Sequence, residues 1–316
     1  MDIHLRVLAS IAVLLGLICL VVLLRRLGVV KAEQGKLFAN LVMDVTLPAL
    51  IFTSLARQPL EWREGLLALV MFGAEMLCLA LAWLLGRILR LSHPQMGAFM
   101  LTAGFGSSAL LGFALISQVF PGDSAALGEA VVISEVGVGP AMFTIGVMVA
   151  IYFGSAQVSA RERLRTALRY FYSPIFFAIV AGLVCANLSL PWQRPLLAEL
   201  MRGLDILAQA NTFMVALTVG AVLAFQGYRS ALTLAAIVCV IKLLLKPMLV
   251  WLPTLAMTLP AWQTQVLVLE GAMPSALLTV ALSARYGCDA TLASRLVFAT
   301  SAVGAGTILV MFGLLG

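Results

Sequence analysis

Apolar residues run along this chain in ten stretches, each about as long as the ~20 residues with which an α-helix crosses a hydrocarbon core. Charged and turn-forming residues separate the stretches at intervals too short for a soluble domain, and the alternation typical of strands is absent. A bilayer admits only helices or closed barrels. The pattern predicts an all-α polytopic membrane protein, with spans near residues 5–24, 36–56, 65–88, 95–119, 126–153, 171–190, 201–225, 231–253, 261–284 and 290–314.

One segment of the chain recurs in altered form 167 residues later. GFGSSALLGFAL at 104–115 and GAMPSALLTVAL at 271–282 share seven of twelve positions, and the same offset aligns SEVGVG at 134–139 with SAVGAG at 301–306. Because five spans per copy is an odd number, the second copy enters the membrane from the opposite face. The sequence predicts two inverted five-helix repeats, 1–154 and 169–316, joined by a basic loop at 155–168. Repeats of this kind underlie alternating access in transporters.

The composition points the same way and argues against an enzyme. The chain is 62% hydrophobic and 11% charged, whereas soluble domains have roughly 25% charged residues. Its five cysteines form no CxxC pair, and no nucleophile–base, phosphate-loop or metal-ligand motif is present. We therefore expect no cofactor and no metal site.

Lysine and arginine are distributed unevenly between the predicted loops, twelve on one side against five on the other. Cytoplasmic loops of membrane proteins carry the excess of positive charge. This predicts both termini outside and the basic loop in the cytoplasm, with the protein in a bacterial inner membrane. The net charge of +6 is then topological, and no nucleic-acid partner is expected.

The clearest candidate site is the pair of helix interruptions in the fourth and ninth spans. Proline removes a backbone donor and glycine permits close approach. The freed backbone groups must line a cavity or meet protein. If both helices break near mid-bilayer, two helix N-termini with partial positive charge face one point, which suits a carboxylate. The alternative is a tight crossing with small residues at the contact. The candidate substrate-binding residues are Gly104, Gly106, Ser107, Ser108, Met273, Pro274, Ser275 and Asn211.

Ionisable residues inside spans form a second candidate set, because a charge at membrane depth is costly and usually functional. The 167-residue offset pairs Glu75 with Lys242 and predicts an ion pair at the protein centre that exchanges protons; a purely structural pair is the alternative. Lys246 is expected to extend towards the interface instead. The residues expected to carry protons or ions are Asp44, Glu75, Lys242 and Glu270.

The chain resembles the auxin efflux carrier superfamily in three motifs: LPALIF at 47–52, KLLLKP at 242–247 and EGAMPS at 270–275. The resemblance implies ten helices in two inverted repeats, with crossing broken helices four and nine. It also implies a scaffold bundle, a mobile transport bundle and movement of small carboxylates. An acidic residue near Glu75 supports proton-linked switching in such carriers.

The chain departs from the family pattern at three places. Gly106 to Ser108 stand where the family commonly has an asparagine, Ala114 replaces a proline, and Asp44 replaces an asparagine before LPALIF. Losing an amide and gaining a carboxylate changes what the site can bind, which argues against auxin itself as the substrate.

Together these patterns predict a secondary active transporter of a small organic anion. We expect it to exchange or export its substrate with a coupling proton, to reside in the lipid bilayer and to form a homodimer. The alternatives are a sodium-coupled symporter or sodium/proton antiporter of the same fold, and a membrane sensor that transports nothing.

Overall fold

The computed structural model describes residues 16–56, 64–112, 115–116, 119–120, 123–154, 169–188, 192, 194–223 and 228–315. Those residues are helical apart from short connections, and no strand occurs among them. The basic loop at 155–168 and the start of the first predicted span lie outside the described residues.

The helices are numbered α1 to α10 in chain order, with α4 and α9 each interrupted. The first half contains α1 (16–26), α2 (Gln34–Leu41, Val42–Thr46 and Leu47–Ala56), α3 (Glu64–Ile88), α4a (His93–Gly104), α4b (beginning with Ser108–Gly112) and α5 (from Ser124–Val132 to Val147–Gly154). The second half contains α6 (Pro174–Asn187), α7 (Pro195–Val222), α8 (Tyr228–Cys239, Val240–Leu245 and Lys246–Thr254), α9a (Ala261–Gly271), α9b (Leu278–Tyr286) and α10 (Ala290–Leu315).

Five helical segments are long and apolar enough to cross a membrane: Gln34–Thr53, Gly65–Ile88, Ala125–Gly154, Pro195–Ala221 and Ala231–Thr254. Large apolar side chains also point outward along them, with Leu69 63% and Leu196 84% exposed. Apolar surface of this kind is expected to face lipid, because soluble proteins rarely expose large apolar patches to water. The chain is therefore an all-helical polytopic membrane protein, and the ten-span inverted repeat stays a prediction.

Helices α2 and α8 change from α- to π-helical geometry next to the LPALIF motif and within the KLLLKP motif. The π-helical segments Val42–Thr46 and Val240–Leu245 lie just before Pro48 and Pro247. Proline supplies no N–H and clashes with the carbonyl four residues earlier, which favours the wider turn. Each wider turn carries a charged candidate residue, Asp44 in α2 and Lys242 in α8, and π turns are frequent at functional sites.

The helices pack in two groups. In the first, α2, α6 and α7 pack mainly on one another, and α1 lies on α7, where Arg25 donates a 2.8 Å hydrogen bond to the Ala221 carbonyl. In the second, α3, α4, α5, α8, α9 and α10 pack on one another. The short helix α9b contacts both groups, with α2 and α7 on one side and α5 and α10 on the other.

Candidate functional site

The two interrupted helices cross at their breaks and pair through their backbones. The Ser107 N–H donates to the Pro274 carbonyl at 2.9 Å, and the Ala276 N–H donates to the Phe105 carbonyl at 3.0 Å. Gly106 and Ser275 lie opposite each other in an antiparallel bridge between these bonds. Groups that each break frees from its own helix are thus satisfied by the other break, as membrane depth requires.

Serine side chains at the crossing differ in what they bind. Ser275 is fully buried, and its hydroxyl donates a 2.6 Å hydrogen bond to the Thr102 carbonyl of α4a. It therefore holds the two segments together. The Ser108 hydroxyl is also buried but has no hydrogen-bond partner among the described residues. Ser107, its neighbour in the sequence, is also buried, and so is Met273 in the break of the other helix.

Two lysines of α8 converge on the end of α4a. Lys246 Nζ lies 2.9 Å from Glu75 Oε1, with both side chains fully buried. It also donates to the Gly104 carbonyl at 3.3 Å, and Lys242 Nζ donates to the same oxygen at 3.4 Å. Gly104 is the last residue of α4a, so both ammonium groups lie at the partially negative end of a half-helix.

Two predictions about these lysines are wrong. Glu75 forms its salt bridge with Lys246 and not with Lys242, and Lys246 is fully buried instead of extending to the interface. Residues four apart lie on one face of a helix. An offset counted along the sequence therefore cannot decide which of the two lysines reaches the carboxylate.

Lys242 lies directly against the break of α4. A Cβ atom added to Gly106 would lie 2.7 Å from Lys242 Nζ and 3.2 Å from its Cε. Lys242 is fully buried and makes no salt bridge among the described residues. Of the two lysines at this end of α4a, Lys246 is the one that forms a salt bridge with Glu75.

Glu270 occupies a different part of the crossing from Glu75. It is fully buried at the end of α9a, and a Cβ on Gly112 of α4b would overlap both of its carboxylate oxygens. The same helix is also hydrogen-bonded to α5: Gln263 Nε2 of α9a donates to Glu129 Oε2 of α5 at 3.1 Å. Glycine at position 112 thus lets the second half of α4 pass directly beside the Glu270 carboxylate.

Asp44 and Asn211 lie at the contact between α2 and its neighbours and make separate bonds. Asp44 Oδ2 is 3.0 Å from the Arg285 guanidinium of α9b. Asn211 Oδ1 accepts a 2.8 Å hydrogen bond from the Thr46 hydroxyl, so it joins α7 to α2. Arg285 was not among the predicted site residues, although its place in the last turn of α9b is one where arginine can reach a neighbouring helix.

Comparisons of the sequence with known proteins show the family to which the chain belongs. The sequence model of the family described as "Membrane transport protein" matches residues 7–151 and 163–312. A protein of Rhizobium meliloti named "Putative malonate transporter" is 28% identical over 93% of this chain and 91% of its own length. "Uncharacterized transporter YfdV" of Escherichia coli is 25% identical over 80% of each chain. "Uncharacterized transporter MJ1031" of Methanocaldococcus jannaschii is 23% identical over 87% of each. The chain therefore belongs to the membrane transport protein family, which is the auxin efflux carrier family that its motifs resemble, and it is a transporter and not an enzyme.

Proposed function

We propose that this protein is a secondary active transporter that moves a small carboxylate across the membrane by alternating access. The observation that carries the proposal is the position of Lys242, which is buried against the break of α4 and forms no salt bridge among the described residues. A buried charge is costly unless it is paired. A substrate carboxylate would supply the missing partner.

The surroundings of Lys242 suit a small anion. Gly106 brings the backbone close to the ammonium group, and the unsatisfied Ser108 hydroxyl offers a further donor. Helix α9b begins just after the crossing, with the partial positive charge of its N-terminus directed at it. Met273 and Pro274 supply apolar atoms that would limit the size of the substrate. The relative named for malonate makes malonate, a small dicarboxylate, the first compound to test.

Proton coupling would act through Glu75. Its carboxylate holds Lys246, and Lys246 shares the Gly104 carbonyl with Lys242. Protonation of Glu75 would loosen Lys246 and change how Lys242 is held, so proton and substrate would affect each other's binding. Glu270 and Asp44 remain the other candidates for carrying protons.

The two packing groups suggest how access alternates. The group of α3, α4, α5, α8, α9 and α10 contains the crossing and would move as the transport bundle. The group of α1, α2, α6 and α7 would serve as the scaffold, and a homodimer would keep it fixed in the bilayer. Inverted repeats would give inward-open and outward-open states of similar energy.

Transport assays in proteoliposomes test the proposal. Uptake of labelled malonate and of a panel of monocarboxylates is measured with no gradient, with a pH gradient and with a sodium gradient. Lys242→Gln should lower uptake at least tenfold, while Lys36→Gln, which removes an exposed lysine on α2, should leave it unchanged. Thermal melting of both variants separates loss of the site from loss of the fold.

Each alternative has its own signature in these assays. Stimulation by sodium alone would favour a sodium-coupled symporter or antiporter. Absence of flux for every carboxylate under all three conditions would favour a sensor. Full uptake by a folded Lys242→Gln protein would show that the anion does not bind at the crossing.

A further inference from the structure

The short helix α9b is tied to the first packing group by charge as well as by packing. One guanidinium nitrogen of Arg285 lies 3.0 Å from Asp44 Oδ2 and donates a 3.1 Å hydrogen bond to Oδ1. The two residues are 241 positions apart in the chain. Asp44 belongs to α2 of the first group and Arg285 to α9b of the second, so the salt bridge spans the boundary between groups.

Both ends of this salt bridge lie next to interruptions of regular α-helical geometry. Helix α9b has nine residues between the crossing and Gly287, whose φ of +89° ends the helix in a left-handed conformation. Asp44 lies in the π-helical segment Val42–Thr46, ahead of Pro48. Helix α9b is therefore a short separate unit, and the π-helical turn interrupts the regular α-helical pattern of backbone hydrogen bonds at Asp44.

The exposure of the pair sets it apart from the buried pair at the crossing. The side chains of Arg285 and Asp44 are 30% and 42% exposed, whereas those of Lys246 and Glu75 are fully buried. When a partly exposed pair opens, its two charges are not enclosed by protein, and such pairs contribute little net stability. Opening a buried pair would leave two unsolvated charges. Of these two pairs, Asp44–Arg285 is therefore the one suited to form and break during a cycle.

We propose that Asp44 and Arg285 form a latch that holds α9b against α2 in the conformation seen here and opens when the transport group moves. The proposal rests on alternating access as proposed above. It gives Asp44, the residue that replaces the family's asparagine, a role in controlling conformation. The latch would set how long this state lasts and would leave the anion site at the crossing intact.

Hydrogen–deuterium exchange of the protein in lipid nanodiscs tests the latch without any transport measurement. Asp44→Asn should raise amide exchange in residues 278–286, and Arg285→Gln should raise it in residues 42–46, each by about 1.5- to 5-fold for an exposed pair. For each variant, exchange is measured in the segment that holds the other residue of the pair. A merely local effect of the substitution would not appear there. The double variant should exchange no faster than the faster single variant, and the swapped variant Asp44→Arg/Arg285→Asp should restore slow exchange.

A matched control is available on α7. Glu199 and Arg202 form an exposed pair three residues apart, with Nη1–Oε1 at 3.7 Å and side chains 72% and 76% exposed. Glu199→Gln removes an equivalent charge pair inside one helix and should leave exchange in both segments unchanged. Unchanged exchange in Asp44→Asn, additive effects in the double variant, or a swapped variant that behaves like the singles would overturn the latch.

Flux measured on the same preparations separates the latch from the transport proposal. If the wild-type protein moves no substrate, the transport proposal fails, and the exchange data still decide whether the pair holds the two groups together. If the wild type transports and both single variants keep its rate and apparent affinity, the pair is no latch of the transport cycle.

Discussion

Gly106→Ala should weaken anion binding, because the added methyl group would displace the Lys242 ammonium group. The new Cβ would lie 2.7 Å from Lys242 Nζ, so the ammonium group would have to move about 0.7 Å to reach an ordinary contact of 3.4 Å. Its hydrogen bond to the Gly104 carbonyl is already 3.4 Å long, and any movement of the ammonium group away from that oxygen would break it. A hydrogen bond to a charged group contributes roughly 1.5–3 kcal/mol, and each 1.4 kcal/mol corresponds to about tenfold in affinity.

We therefore expect Gly106→Ala to raise the Kd for the transported carboxylate by about 10- to 100-fold. The assay is isothermal titration or scintillation proximity binding on detergent-solubilised protein, followed by uptake in proteoliposomes. Gly73→Ala is the matched control, because a Cβ at Gly73 of α3 meets nothing within 4 Å. Wild-type affinity in a folded Gly106→Ala protein would refute the placement of the anion beside Lys242.

Three further predictions concern groups outside that contact. Glu75→Gln leaves Lys246 buried without its carboxylate, so the free energy of unfolding should fall by about 3–5 kcal/mol, as measured by thermal or urea unfolding; a loss below about 1 kcal/mol, the size of an exposed pair, would contradict the buried pair. Burial raises the pKa of the Cys288 thiol to about 12, and only the thiolate reacts with iodoacetamide. At pH 9 the reagent should therefore modify Cys288 in SDS-unfolded protein and spare it in folded protein. Equal labelling of both forms would contradict this prediction. Asp123 caps α5 by accepting from the Ala125 and Ala126 N–H groups at 2.9 and 3.1 Å, so Asp123→Ala should cost about 1 kcal/mol in the same unfolding assay, and Asp123→Asn should recover most of it.

The helix interruptions could be predicted from the sequence because their causes are local. Glycine, serine and proline weaken a helix wherever they stand, and the duplicated segments at 104–115 and 271–282 marked the same place twice. The helical class followed from the length and apolarity of the stretches. The inverted repeat and its ten spans remain an interpretation of the same pattern.

The partners of the charged residues could not be predicted, because they depend on how the helices are rotated and packed. Lys242 and Lys246 lie close enough on α8 to donate to the same Gly104 oxygen. The packing of the helices then decides that Glu75 pairs with Lys246 and Asp44 with Arg285. The positions of the charges were visible in the sequence, and their pairing was a property of tertiary structure.

The Gly104 carbonyl has a thermodynamic consequence for transport. One oxygen accepts hydrogen bonds from both Lys242 and Lys246, so whatever draws one ammonium group away gives the other sole use of that acceptor. The anion that would bind Lys242 and the proton that would bind Glu75 are then ligands of a single linked system. Linkage is reciprocal: the factor by which protonation changes the anion's Kd must equal the factor by which the anion changes the proton's. Measuring either factor gives the free energy by which proton binding and anion binding are coupled.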